Sequence, residues 1–185
     1  KQVDYHDSEE RKLKNSLPPA EGAVSIAMRK LDRTVNNCRA AVLGYGRVGT
    51  ATAGLLRAMG ASVTVAARKR SDLARAGIAG MRQLLIDPER PMCGMISLTR
   101  GYDLIINTIP VRLLSGDVLH HISPDTVIID LASVPGGVDF DTAEKLGLNV
   151  TWALSVPGKY APVTAGVIIG ETVLSYLESE GVIGK

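Results

Sequence analysis

The stretch Ala-Ala-Val-Leu-Gly-Tyr-Gly-Arg-Val-Gly, residues 40–49, decides the fold. It predicts a short strand that runs directly into a G-x-G-x-x-G turn, and the next ten residues have the pattern of an amphipathic helix. Gly44 would let the chain turn sharply out of the strand, Gly46 would let the backbone approach a pyrophosphate, and Gly49 would let the helix pack closely on the sheet. A purely structural turn is the alternative, but the strand before it and the helix after it favour a nucleotide site.

Strand and helix patterns alternate along the rest of the chain. The predicted strands cover residues 40–43, 62–66, 103–108, 126–130 and 149–153. Gly60 is expected to end the first of these helices in a left-handed conformation. Ser71 and Asp72 can cap a short helix that ends near Gly77. Because parallel strands need helical crossovers, this order predicts an α/β fold with a doubly wound, Rossmann-like parallel sheet and helices on both faces.

The chain is expected to divide into four segments. Residues 1–16 are expected to form a polar arm that is mobile or depends on a partner. Residues 17–36 are expected to contain an N-terminal connecting helix, predicted over about 20–33 after Pro18 and Pro19, with an ordinary core helix as the alternative. Residues 37–163 form the NAD(P)-binding domain, and 164–185 are a C-terminal helix and tail, with the helix over 164–177. Residues 78–100 give no clear pattern.

Composition excludes several functional classes. The 185 residues carry 21 basic and 19 acidic side chains and only seven aromatic ones (five Tyr, one Trp, one Phe), so neither a basic field nor a stacking surface for nucleic acid is present. Cys38 and Cys93 lack the spacing of a disulfide framework or a metal site, and no metal is predicted. No signal peptide or membrane span is recognisable, so the cytoplasm is the expected compartment.

The end of the second predicted strand indicates which cofactor fits. Enzymes that prefer NAD usually place an acid about twenty residues after the glycines, where it binds the ribose hydroxyls. Here that position is Ala67, and Arg68, Lys69 and Arg70 follow. A cationic cluster without a repelling carboxylate favours the 2′-phosphate of NADP, with NAD possible. The alternative is a solvated charge run on a loop.

Two further strand ends complete the predicted rim of the site. Pro110 would make the loop under the nicotinamide ribose rigid, and residues 132–139 resemble a mobile loop that reaches the reactive end of the cofactor. Each loop could instead be a plain turn. The predicted cofactor-binding residues are Gly44, Tyr45, Gly46, Arg47, Val48, Gly49, Ala67, Arg68, Lys69, Arg70, Thr108, Ile109, Pro110, Ala132 and Ser133.

Four side chains are candidates for catalysis. Ser133 and Asp139 could form hydrogen bonds at the reactive end, while Arg112 and Lys159 could bind a substrate carboxylate. Arg112 and Lys159 could equally be ordinary surface cations. His120 and His121 stand at a predicted helix end on the side away from the strand ends, so capping or surface roles are expected for them.

Several motifs together resemble the A subunit of dipicolinate synthases. They are Pro-Ala-Glu-Gly-Ala (19–23), Val-Leu-Gly-Tyr-Gly-Arg-Val-Gly (42–49), Ala-Arg (67–68), Ile-Asn-Thr-Ile-Pro (106–110), Asp-Leu-Ala-Ser-Val-Pro-Gly-Gly-Val-Asp (130–139) and Pro-Gly-Lys-Tyr-Ala-Pro-Val-Thr-Ala-Gly (157–166). The resemblance covers about residues 17–177, and the last two motifs are its most specific part. Residues 78–100 depart from the family pattern.

The resemblance implies a two-domain enzyme in the mother cell of sporulating bacteria. Such an enzyme, with a flavoprotein-like B subunit, oxidises a dihydrodipicolinate-type product of the lysine pathway to dipicolinate and passes hydride to NADP or NAD. It further implies a small dicarboxylate substrate and a homo-oligomer. We expect the preceding substrate domain to lie outside this chain, so that the isolated chain turns over slowly or not at all.

Two other functions remain open. A D-2-hydroxyacid dehydrogenase shares the connecting helix and the glycine turn, but it normally needs a histidine late in this domain, and no histidine follows His121. A nucleotide-sensing regulatory domain, such as those that gate potassium transport, usually keeps the acid after the second strand. Ala67 argues against the sensing domain.

Overall fold

A six-stranded, all-parallel sheet organises the chain in the computed structural model, which describes residues 9–87, Met95 and 101–182. The strands are β1 (Arg39–Leu43), β2 (Ser62–Ala67), β3 (Arg82–Leu85), β4 (Leu104–Asn107), β5 (Val127–Asp130) and β6 (Asn149–Trp152). Their spatial order is β3-β2-β1-β4-β5-β6. The chain builds outward from β1 to one edge and then from β4 to the other, so the order reverses between β1 and β4. Ligands of such sheets bind at this reversal, beyond the carboxyl ends of the strands.

Helices flank the sheet within the described residues. They are α1 (Glu9–Lys14), α2 (Leu17–Lys30), α3 (Arg47–Ala58), α4 (Arg70–Ile78), α5 (Gly116–Leu119), α6 (Phe140–Lys145), α7 (Val156–Tyr160) and α8 (Pro162–Ser179). Alternate residues of the central strands enter two separate hydrophobic clusters: Val42 and Ile106 pack on one face, and Leu43 and Ile105 pack on the other. Both faces of the sheet are therefore covered, as the apolar strand sequences predict.

The doubly wound sheet and the N-terminal helix are confirmed, and several boundaries move. Gly60 has a φ of +88°, so its predicted left-handed role is confirmed. Helix α2 begins at Leu17 and ends at Lys30 instead of covering 20–33, because Pro18 and Pro19 fit the first turn, where no amide donor is needed. Helix α4 begins at Arg70 without a side-chain cap, so the predicted cap by Ser71 and Asp72 is wrong.

The sequence patterns also miss whole elements. Strand β3 lies inside the segment that gives no clear pattern, and α1 lies inside the predicted polar arm. The short helices α6 and α7 are not predicted either, α5 is predicted only through its end near His120, and α8 extends beyond 164–177 at both ends. The expectations for residues 1–8, for Cys93 and for most of 88–100 lie outside the described residues. In the part of the chain that is described, no helix is both long and apolar enough to cross a membrane.

The central strands are expected to carry much of the stability. Ile106 is 0% exposed at the centre of the sheet, whereas Ile78 is 90% exposed at the end of α4. Ile106→Ala should lower the free energy of unfolding by about 2–5 kcal/mol, because it removes buried methyl groups and leaves a cavity. Ile78→Ala, the same substitution on the surface, should change it by less than about 0.5 kcal/mol. Urea unfolding of both variants checks this, and equal losses would contradict it.

Candidate functional site

The glycine turn packs tightly against the loop that follows β4. Gly44 has a φ of +93°, and a Cβ at this position would lie 2.5 Å from Thr108 Oγ1 and 2.9 Å from Ile109 Cγ1. A Cβ on Gly49 would overlap the carbonyl oxygen of Gly44. The first and third glycines are therefore required by close packing between the strand end and α3.

Gly46 differs from the other two glycines because a Cβ there would meet no atom within 4 Å. It is the N-cap residue of α3, where no side chain caps the helix and no acid occupies the first turn. The amides at the start of an α-helix lack helical partners and carry partial positive charge. An open backbone face beside uncapped amides fits the pyrophosphate of a dinucleotide.

A small cavity of about 130 Å³ joins the glycine turn to the end of β2. Its lining residues are Gly44, Tyr45, Ala67, Arg68, Lys69, Asp72 and Ile109. The cavity thus brings together residues predicted from three separate segments. It also contains Asp72, an acid for which the sequence predicts only a capping role.

A larger groove of about 710 Å³ lies beside this cavity, between α1, α3 and α4. Arg47, at the start of α3, forms an ion pair with Glu9 of α1 at 3.2 Å across this groove. Lys14 also lines the groove, where hydrogen bonding and charge attraction from Glu10, and then Glu171, raise its pKa. Tyr45, a predicted cofactor contact, is instead buried with the guanidinium of Arg75 over its ring.

A buried pair of polar side chains, Asn107 and Asp130, fixes the other half of the rim. Both residues are 0% exposed, and they are register partners at the ends of β4 and β5. Asn107 Nδ2 donates to Asp130 Oδ1 at 2.8 Å and to the carbonyl oxygen of Ile109 at 3.0 Å. The Ile109 amide donates back to Asn107 Oδ1 at 3.1 Å. This bonding sets the path of the loop after β4.

The loop after β5 depends on the same carboxylate. Asp130 accepts from the amides of Ala132 at 3.0 Å and Gly137 at 2.7 Å. The indole of Trp152 donates to the carbonyl of Ala132 at 3.0 Å, and the Val134–Pro135 peptide bond is cis. Polar residues at the ends of two apolar strands are the sequence signal for this network. Sequence reasoning misses the network itself, because a spacing of 23 residues does not show that the two side chains meet.

The structure gathers some predicted site residues and separates others. The small cavity is lined by Gly44, Tyr45, Ala67 to Lys69 and Ile109, and Thr108 packs beside Gly44. Gly46 and Arg47 line the larger groove instead. Arg70, Arg112 and Lys159 are exposed and line neither the small cavity nor the larger groove. Ser133 is exposed on the loop after β5.

Asp139 has a structural role that the sequence does not predict. Its Oδ1 accepts from the Thr142 amide at 3.2 Å and so caps α6. His120 lies at the C-terminal end of α5, consistent with the helix-end position expected for it.

Fold and rim together define a Rossmann-like nucleotide-binding domain. The model of the family described as alanine dehydrogenase/PNT, C-terminal domain, matches residues 15–177, and the chain belongs to this family. Domains of this family bind NAD(P)H.

The chain is similar to the A subunit of dipicolinate synthase, which confirms the resemblance seen in its motifs. It is 38% identical over 180 residues to the dipicolinate synthase A subunit of Bacillus subtilis (strain 168), covering 97% of this chain and 58% of that protein. The crystal structure of the dipicolinate synthase A subunit from Bacillus halodurans matches with a TM-score of 0.87 and 37% identity over 95% of this chain and 58% of its own. Transhydrogenase from Sinorhizobium meliloti, at 19% identity and a TM-score of 0.78 over 91% of this chain and 56% of its own, shares the fold. The chain therefore spans a little over half the length of these relatives.

Glycine substitutions can separate the packing of α3 from its helix propensity. Gly49→Ala should lower the free energy of unfolding by about 1–3 kcal/mol, because the new methyl group overlaps the Gly44 carbonyl. Gly54 lies on the same helix, and a Cβ there would meet no atom within 4 Å, so Gly54→Ala should raise it by about 0.5–1 kcal/mol. Thermal unfolding measures both changes. Equal effects of the two substitutions would contradict this explanation.

The Asn107–Asp130 network should be detectable by hydrogen exchange. Asp130→Asn keeps the size of the side chain but replaces an acceptor of three donors by a group that also donates. We expect it to cost about 1–3 kcal/mol of stability and to speed exchange at the Ala132 and Gly137 amides. Asp125→Asn, at an exposed acid before β5, is the control. Unchanged exchange in residues 131–139 of the Asp130 variant would contradict the network.

Proposed function

We propose that this chain is the nucleotide-binding part of an NAD(P)-dependent oxidoreductase that oxidises a dihydrodipicolinate-type substrate to dipicolinate. The observation that carries the nucleotide assignment is the open backbone face at Gly46, beside the uncapped amides of α3 and the basic end of β2. Similarity to the A subunit of dipicolinate synthase supports the reaction class. In such an enzyme the nicotinamide ring accepts the hydride.

Different residues at this edge of the sheet would bind different parts of the cofactor. The backbone of residues 44–49 holds the pyrophosphate, and Arg68 and Lys69 pair with a 2′-phosphate, which favours NADP over NAD. Arg70 contributes at most through its long-range charge, because it lines neither cavity. Thr108, Ile109 and Pro110, with Ala132 and Ser133 opposite, border the nicotinamide end.

Substrate contacts are proposed for exposed side chains. Arg112 and Lys159 are free to bind carboxylates of a dicarboxylate substrate, and Ser133 lies on the loop next to the proposed nicotinamide end. Asp139 is less suited to contact substrate, because one of its oxygens already caps α6.

A larger assembly is proposed for turnover. The chain corresponds to 58% of the Bacillus subtilis relative, so we propose that a further domain completes the substrate cleft. Partnership with a B subunit belongs to the same proposal, as does self-association into a homo-oligomer. Residues 17–36, 37–163 and 164–185 would then serve as the connecting helix, the nucleotide domain and the closing helix.

Nucleotide titration tests the proposal directly. By isothermal calorimetry we expect NADP to bind with a micromolar Kd and more tightly than NAD. Arg68→Glu should weaken NADP binding by at least about tenfold, because it replaces a charge-assisted hydrogen bond with repulsion. NAD binding should change much less.

Arg82→Glu is the matched control, since Arg82 is an exposed arginine on β3 outside both cavities. This variant should bind both nucleotides like the parent protein. If the parent bound neither nucleotide, the proposed function would be wrong; equal affinity for NADP and NAD would refute the 2′-phosphate assignment alone.

A further inference from the structure

Asp72 stands at the cofactor-selecting end of the site although it lies five positions after the end of β2. Its side chain is 23% exposed and lines both the small cavity, with Gly44 and Ala67, and the larger groove. Helix α4 starts directly at Arg70, so its first turn carries Asp72 back over the strand end. Ala67 stands where enzymes that prefer NAD usually have an acid. Helix α4 thus supplies a carboxylate, that of Asp72, next to this position.

Arg75 holds this carboxylate from the side. Its Nη1 donates to Asp72 Oδ1 at 3.2 Å, and its Nη2 donates to Thr50 Oγ1 of α3 at 3.3 Å. The guanidinium also lies over the ring of Tyr45 at 5.2 Å. Arg75 therefore has three partners on two helices and the glycine turn, which restricts its position beside Asp72.

The charges of Asp72 and Arg75 would have opposite effects on the ribose that carries the 2′-hydroxyl of NAD or the 2′-phosphate of NADP. A carboxylate accepts hydrogen bonds from the 2′- and 3′-hydroxyls of NAD, but it repels the dianionic 2′-phosphate of NADP. The guanidinium of Arg75 offsets part of this repulsion, because it neutralises Asp72 from 3.2 Å away. The repulsion by Asp72 that Arg75 does not offset would then oppose the attraction that Arg68 and Lys69 exert on a 2′-phosphate.

We infer that Asp72 is a specificity-determining residue that permits NAD binding and limits the preference for NADP, and that Arg75 is a positioning residue that acts through Asp72. This inference rests on the proposed nucleotide-binding function. An ion pair between residues three positions apart on a helix surface is ordinarily worth little. What distinguishes this pair is that the carboxylate also lines the cavity at the end of β2.

The test is a double-mutant cycle on the ratio of the NAD and NADP dissociation constants, measured by calorimetry on the chain itself. Asp72→Asn should raise the preference for NADP about tenfold, by removing the repelling charge and the ribose acceptor. Arg75→Gln should lower the preference for NADP about threefold or more, because Asp72 is no longer neutralised. In the double variant, Arg75→Gln should have little further effect on the ratio.

Asp117→Asn is the matched control, because Asp117 is also an acid in the first turn of a helix, α5, and lines neither cavity. A ratio that stays within twofold of the parent protein in Asp72→Asn overturns the inference, even if the melting temperature falls. A full effect of Arg75→Gln in the Asp72→Asn background overturns the role given to Arg75. If the parent protein binds neither nucleotide, the proposed function fails and this inference with it, whereas an unchanged ratio leaves the proposed function standing.

Discussion

The loops at the carboxyl ends of β4 and β5 depend on one constraint, the hydrogen bond between Asn107 and Asp130. Burying a carboxylate is costly unless its oxygens are hydrogen-bonded. Here the side chain of Asn107 and the amides of Ala132 and Gly137 all donate to Asp130. Because Asn107, the last residue of β4, also bonds the backbone of Ile109, this one buried network fixes the loops after β4 and β5 relative to each other. The loop after β5, predicted from its sequence as mobile, is thereby held to the sheet.

The same constraint reaches the glycine turn through the loop after β4. Thr108 donates its hydroxyl to the carbonyl of Leu43 at 2.8 Å, and the side chain of Ile109 packs where a Cβ of Gly44 would stand. The two halves of the sheet are therefore coupled at the point where the strand order reverses. Close packing at this junction explains why the turn needs glycine at Gly44 and Gly49, while Gly46 faces open space. A rigid rim with one open backbone face is suited to bind an anion without rearranging.

Sequence patterns predict the central sheet because its signals are local. Buried parallel strands appear as short apolar runs, and the glycine turn needs its three glycines at fixed spacing. Strand β3 escapes prediction because it is an edge strand with exposed Arg82 and Gln83, so it lacks an apolar run. The bond from Asn107 to Asp130 and the return of Asp72 toward the end of β2 depend on tertiary geometry. No local pattern encodes which side chains meet across two strands or how the first turn of α4 is directed.

The proposed nucleotide contacts and the proposed substrate contacts have different structural support in this chain. The groups proposed to bind the nucleotide are backbone amides of α3, held by packing between Gly44 and Gly49, together with charges at the end of β2. The groups proposed to contact substrate, among them Arg112, Ser133 and Lys159, are exposed side chains. Catalysis requires side chains held close to their productive geometry by surrounding packing and hydrogen bonds, whereas backbone anion sites are formed as soon as the turn folds. Under the proposed function, we therefore expect this domain to bind the nucleotide by itself. Under the same proposal, the rate of hydride transfer would depend on a further surface that orders the exposed side chains around the substrate.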